Sequence, residues 1–142
     1  MSTPMESPRS GADFMRQFFP TSPYVGHLGM QLTSLEPGRA IVSLPFADSL
    51  VTIGTVVHGG AIASLIDTAA MVGAWSDAEV PAKLRGTTVN LTVAYLAAAE
   101  REDLQAIASV LRRGRNLVYL DVEVKGASGK TVAKGLVTYK MG

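Results

Sequence analysis

Hydrophobic and polar positions alternate with a period of two through most of this chain, and one stretch breaks the pattern. Ala40, Val42, Leu44 and Phe46 alternate with Arg39, Ile41 and Ser43, and Val118, Leu120, Val122 and Val124 alternate with Tyr119, Asp121, Glu123 and Lys125. Alternation of this kind predicts strands with one buried face. Met30–Leu35 reads as a strand that turns back at Glu36-Pro37-Gly38-Arg39, giving a first hairpin. From Thr87 the period is again two: Val89, Leu91, Val93 and Tyr95 are expected on one face, Thr88, Asn90 and Thr92 on the other. Leu104–Arg112 is mostly apolar on both faces, as in an inner strand, and Ala127–Lys130 is a turn into a last strand, Val132–Tyr139.

The exception is Val56–Trp75 (VVHGGAIASLIDTAAMVGAW). Its apolar residues fall on nearly every face of a helix, which predicts a helix buried all round. It is short and interrupted for a membrane span. A shorter amphipathic helix is expected at Asp13–Phe19, with Phe14, Met15, Phe18 and Phe19 on one face and Pro20 ending it. It reads either as a lid on the core edge or as the cover of a ligand pocket. Pro23–Gly29 and Ala47–Val57 read as loops, and Pro81–Arg85 ends the region after the long helix. One long helix among meander strands predicts an α+β domain, an antiparallel sheet of about six strands wrapped around the helix. Apolar residues on the outer sheet face suit association through a face or an edge.

Composition narrows the chemistry. The 142 residues suffice for one domain, with 47% hydrophobic and 18% charged residues. A net charge of +1 leaves no footprint for nucleic acid or an anionic membrane. The absence of Cys excludes disulfides, thiolate metal sites and a Cys nucleophile, and fits a cytoplasmic location. Residues 1–12 are polar, with Pro4 and Pro8, and read as a loose tail ahead of a single domain at 13–142.

The chemistry concentrates in the long helix. Two glycines at its start leave the amides of Gly59 and Gly60 without helical partners, at the end whose dipole attracts negative charge. Fixed donors of this kind describe an oxyanion hole. A phosphate cradle is the rival reading, weakened because no Lys or Arg follows the glycines. Asp67 is the only ionisable residue between His58 and Trp75. It reads either as a structural acid or as a functional one. Ser64, Thr68 and Met71 share its face at spacings of three and four, a polar stripe suited to a pocket wall. Asp67 lies eight residues after Gly59, ~12 Å along one helix. One chain therefore cannot place that carboxylate beside its own Gly59 amide. The alternatives are unrelated roles, or a site built from two chains across a two-fold axis. His58 reads as a capping or loop-fixing side chain or as a catalyst. With His27 the only other His, a metal site is not expected. Arg112-Arg113-Gly114-Arg115 is a solvated turn or a binder of ligand phosphates.

Three segments carry a family likeness: GTVVHGGAIASLIDTAA (Gly54–Ala70), RGTTVNLTVAYL (Arg85–Leu96) and RRGRNLVYLDVEV (Arg112–Val124). Together they resemble the hotdog-fold acyl-CoA thioesterases, in particular the phenylacetate-degradation type. The resemblance implies a hotdog fold, homodimers paired into dimers of dimers, and active sites at the subunit interface. It implies an aromatic or small-to-medium acyl-CoA substrate, with coenzyme A part of that substrate and no cofactor. Asp67 is then the catalytic carboxylate, as general base or nucleophile, and the Gly59 amide polarises the thioester carbonyl. Thr88 helps position the attacking water, and His58 holds the loop or touches the thioester end. The expected substrate-binding set is Gly60, Ser64, Thr68 and Asn90, with Arg112, Arg113 and Arg115 (or the Ser128–Lys130 hairpin) meeting the nucleotide. Many members carry Asn or Gln six or seven residues before the His. Val51 and Thr52 stand there, so the hydroxyl of Thr52, or that of Thr55, is the expected substitute. The rivals are a non-catalytic acyl-CoA-binding hotdog protein and a hotdog enoyl-CoA hydratase or dehydratase. The latter is disfavoured because no D-x-x-N-P-x-H-like segment is present.

Overall fold

A computed structural model of the chain describes residues 6–80 and 83–142. The first five residues of the expected tail, and the Pro81-Ala82 pair after the long helix, lie outside them. Two short helices come first, α1 (Gly11–Phe18) and α2 (Pro23–Leu28), then the hairpin of β1 (Gln31–Glu36) and β2 (Arg39–Leu44). A second, small hairpin of β3 (Val51–Ile53) and β4 (Val56–Val57) precedes the long helix α3 (Gly59–Trp75). Four long strands follow: β5 (Gly86–Tyr95), β6 (Leu104–Arg113), β7 (Leu117–Gly126) and β8 (Thr131–Met141). The main sheet is antiparallel, in the order β1-β2-β6-β7-β8-β5. This is the expected hotdog architecture, with α3 packed on the sheet.

Two stretches expected as loops are ordered elements. Pro23–Leu28 is a helix, with Pro23 in its first turn and Gly29 at φ 79° as its left-handed C-cap. Val51–Val57 folds as the small hairpin, stitched down where Val57 N–H donates to Ala99 O at 2.9 Å and His58 N–H to Leu50 O at 2.7 Å. The start of α1 also corrects the expected tail. Ser10 caps the helix through its Oγ, and Gly11 is buried, its N–H donating to Ala78 O at 2.9 Å. Ordered packing therefore begins inside residues 1–12.

Small residues let α3 sit close to the sheet. A Cβ on Gly135 of β8 would lie 2.6 Å from Ile66 Cγ2, and one on Gly73 would lie 2.9 Å from Leu120 Cδ2. Leu65, Ile66, Ala69, Ala70 and Val72 have no accessible surface. Each fully buried Leu or Ile contributes about 1.5–3 kcal/mol. Burial is not all round, however. Ala63, Ser64, Asp67, Thr68 and Met71 form a half-buried stripe, because the sheet covers one side of α3 and helices α1 and α2 cover the other only in part.

Strand β5 departs from the expected alternation. Its pairing with β8 slips between Thr88 and Asn90, and Val89 is left over, 56% exposed. This bulge changes the parity of the strand. Thr88 consequently shares the inner face with Leu91 and Val93, instead of facing away from them. Gly86 admits the Tyr139 ring: a Cβ there would overlap its hydroxyl oxygen. Gly86→Ala is therefore expected to cost about 1–3 kcal/mol through overpacking, read as a lower urea midpoint with unchanged slope. A midpoint equal to wild type would contradict this packing.

Candidate active site

Asp67 projects from the open stripe of α3 beneath the start of β5. Its Oδ1 accepts a hydrogen bond from Thr88 Oγ1 at 2.6 Å, short enough for a charge-assisted contact that fixes the carboxylate's orientation. The bulge at Val89 is what turns Thr88 toward it. The two residues line a cleft of about 340 Å³ together with Thr68, Met71, Phe18 and Tyr139. Tyr139 is 4% exposed, and its hydroxyl accepts from Trp75 Nε1 at 3.0 Å. Burial raises its pKa above the usual 10.0; the Trp75 hydrogen bond opposes the shift and the Asp67 charge adds to it. The phenol therefore stays neutral beside the carboxylate.

At the start of α3 the four orphan amides, those of His58, Gly59, Gly60 and Ala61, are settled unequally, the first by Leu50 O. Ala61 and Ile62 N–H donate to His58 O, and Gly60 N–H donates to His58 Nδ1 at 2.7 Å. The expected pair of bare donors thus reduces to one. Gly59 N–H alone has no acceptor among the described residues. His58 is a helix cap through its ring, and because Nδ1 accepts, the proton of the neutral imidazole sits on Nε2. Tyr95 OH donates to Gly59 O at 2.8 Å, and its ring packs where a Cβ on Gly59 would lie, 3.3 Å away. Gly59 lines a second cleft of about 380 Å³ with Thr52, Ile62, Tyr95 and Ala97–Ala99. The two clefts share no residue. Within one chain the carboxylate and the free amide face separate spaces.

The remaining predicted site residues divide. Thr68 borders the Asp67 cleft and Thr52 the Gly59 cleft. Ser64 Oγ donates to Gly60 O and shares a hydrogen bond with Tyr24 OH, both at 2.9 Å. Asn90 is exposed, lines neither cleft, and its Oδ1 accepts from Thr92 Oγ1 at 3.4 Å. Arg113 is engaged elsewhere: it donates to Ala74 O at 2.6 Å and pairs with Asp77. A second bulge, between Val110 and Arg112, turns it inward beside buried Val118. There it neutralises the negative C-terminal end of α3. Arg112 and Arg115 instead border an open groove with Tyr119 and Asn116. Tyr24, Tyr95 and Tyr139 were not singled out as polar partners. Their roles depend on α2 and on strand register, which a list of aromatic positions does not reveal.

The family model of the thioesterase superfamily matches residues 54–133, more than half of the chain, and the chain belongs to that family. The medium/long-chain acyl-CoA thioesterase YigI of Escherichia coli is 30% identical over 135 residues, covering 84% of this chain and 86% of that protein. The crystal structure of a thioesterase family protein from Silicibacter pomeroyi superposes with TM-score 0.84 at 26% identity, covering 92% and 96% of the two chains. The PaaI protein of the E. coli phenylacetic acid degradation operon shares the fold, with TM-score 0.80 at 22% identity over 95% and 96%.

Replacing Tyr139 with Phe is expected to cost about 1–3 kcal/mol, since the buried Trp75 N–H loses its acceptor. The Tyr139 contribution is intact below the unfolded value of 10.0 and is lost as pH rises above it, where the unfolded phenol ionises first. Urea denaturation on either side of that value should show a smaller alkaline loss for Tyr139→Phe. An equal loss in both proteins would contradict it.

Proposed function

We propose that the protein is an acyl-CoA thioesterase whose active site is completed by two copies of the chain. The observation that carries this reading is the pairing of one oriented carboxylate with one unpartnered helix-start amide, held on the same helix in separate clefts. Asp67, aligned by Thr88, activates water or attacks the thioester carbonyl itself. The Gly59 amide of the other copy stabilises the oxygen as negative charge develops on it. Water adds, the carbon–sulfur bond breaks, and a carboxylic acid and the thiol of coenzyme A leave. Carboxylate, amide and water suffice for these steps, with no added cofactor. His58 acts as the loop-fixing cap that keeps Gly59 in place.

The edge strand supports the two-chain arrangement. β5 has a neighbour on one side only, and both half-sites touch it: Thr88 at one end, Tyr95 at the other. An unpaired edge is a template for a second strand. Antiparallel pairing of two β5 edges, with a two-fold axis near Thr92, carries Thr88 and Asp67 of one copy toward Tyr95 and Gly59 of the other, giving two equivalent sites. Arg112 and Arg115, the two arginines free of the helix end, are the candidates for the phosphates of the nucleotide. The likeness to YigI supports a medium- or long-chain acyl-CoA as substrate over the phenylacetate-type alternative.

Hydrolysis of a panel of acyl-CoAs, followed by release of free thiol, tests the assignment. Asp67→Asn and Asp67→Ala should each lower kcat/KM by roughly 10²–10⁴-fold while leaving the urea midpoint close to wild type. Retained turnover in both variants would sink the role of Asp67. Binding of acyl-CoA without thiol release by the wild type would favour a ligand-binding protein.

A further inference from the structure

The Asp67 cleft does not end at Asp67. A second cavity of about 230 Å³ adjoins it, and the two share Phe18, Met71, Gly86 and Tyr139. The second cavity continues along α3 under α1, past Phe14 and Leu84, to Trp75. Its walls are aromatic and aliphatic apart from Arg85. Phe14 stacks on Phe18 with ring centroids 5.5 Å apart and leans on Trp75 at 4.7 Å. Besides Arg85, the buried polar groups on this space are committed to each other, as Tyr139 OH accepts from Trp75 Nε1. No acidic side chain lines the second cavity.

We propose that this continuous space, running from Asp67 to Trp75 between α1 and α3, holds the hydrocarbon tail of the acyl group, and that Phe14, Phe18 and Met71 set the length it accepts. The inference rests on the thioesterase reading and deepens it. Asp67 and Trp75 are eight residues apart on one helix, ~12 Å along its axis. An extended chain advances ~1.2 Å per bond, taking a third of the span of one extended residue. The space therefore takes an unbranched tail of about eight to ten carbons. Past Asp67 such a chain meets mostly carbon, and each added methylene that enters the cavity is worth about fourfold in binding.

Straight-chain acyl-CoAs from butyryl to palmitoyl give the first readout. Wild-type kcat/KM should climb about fourfold per methylene up to about ten carbons and stop climbing beyond. Met71→Trp, which fills the shared part of the space, should lower the decanoyl-to-butyryl ratio of kcat/KM at least roughly tenfold. Phe18→Ala should move the break to longer chains. A second readout does not depend on turnover or on those variants folding. Trp75 is the only tryptophan, so in Asp67→Asn its emission should shift on titration with decanoyl-CoA and stay unchanged with coenzyme A alone. A flat chain-length profile, or ratios unaffected in both variants, with hydrolysis itself intact, overturns the tail site and leaves the thioesterase reading standing. Equal Trp75 responses to decanoyl-CoA and coenzyme A, or none to either, overturn it as well. Absence of thiol release from every wild-type reaction overturns the thioesterase reading, and the Trp75 titration then decides the tail site alone.

Discussion

A straight α-helix keeps its first amide and a side chain two turns onward at a fixed separation. Gly59 and Asp67 are eight residues apart on α3, and the helix is wedged against the sheet by Gly73, Gly135 and a run of alanines. The helical rise sets the donor and the carboxylate ~12 Å apart along the axis. Every other feature of the site is arranged around that separation. Thr88 orients the carboxylate at one cleft, and His58 and Tyr95 dress the amide at the other. Strand β5, which touches both, is left at the edge of the sheet.

Two strand irregularities matter as much as the regular elements. The bulge at Val89 brings Thr88 to the inner face, and the irregularity between Val110 and Arg112 sends Arg113 to the end of α3 while Arg112 stays outside. In each case one extra residue decides which of two neighbouring side chains reaches the helix. The result at the first is an aligned carboxylate. At the second, Arg113 satisfies the last turn of α3 and two arginines remain for solvent or ligand.

Much of this was legible in the chain. Period-two runs marked the long strands, and the unbroken apolar character of Val56–Trp75 marked the central helix. The rise per residue alone separated Gly59 from Asp67. What escaped has physical causes. Bulges have no fixed residue code, so the alternation in Thr87–Tyr95 was extended straight through Val89 and put Thr88 on the wrong face. The Ser22-Pro23 start and Gly29 stop of α2 were present as signals, but six residues carry too little periodicity to outweigh a loop reading. The partial burial of Asp67 reflects which side of α3 the sheet covers, a tertiary fact that helix composition does not encode. The number of free amides at the helix start likewise depends on the rotamer of His58.

The central claim is that the Asp67 of one copy works with the Gly59 amide of another, and subunit mixing tests it most directly. Gly59→Pro deletes that single N–H at the first helical position, where proline is tolerated. His58, at ψ 134°, already has the extended backbone a following proline requires. Homodimers of Gly59→Pro and of Asp67→Asn should both be nearly inactive. Co-refolding the two should restore roughly one quarter of the wild-type rate, since half of the dimers are mixed and each mixed dimer carries one intact site of two. A mixture no more active than its separate components would contradict the shared site.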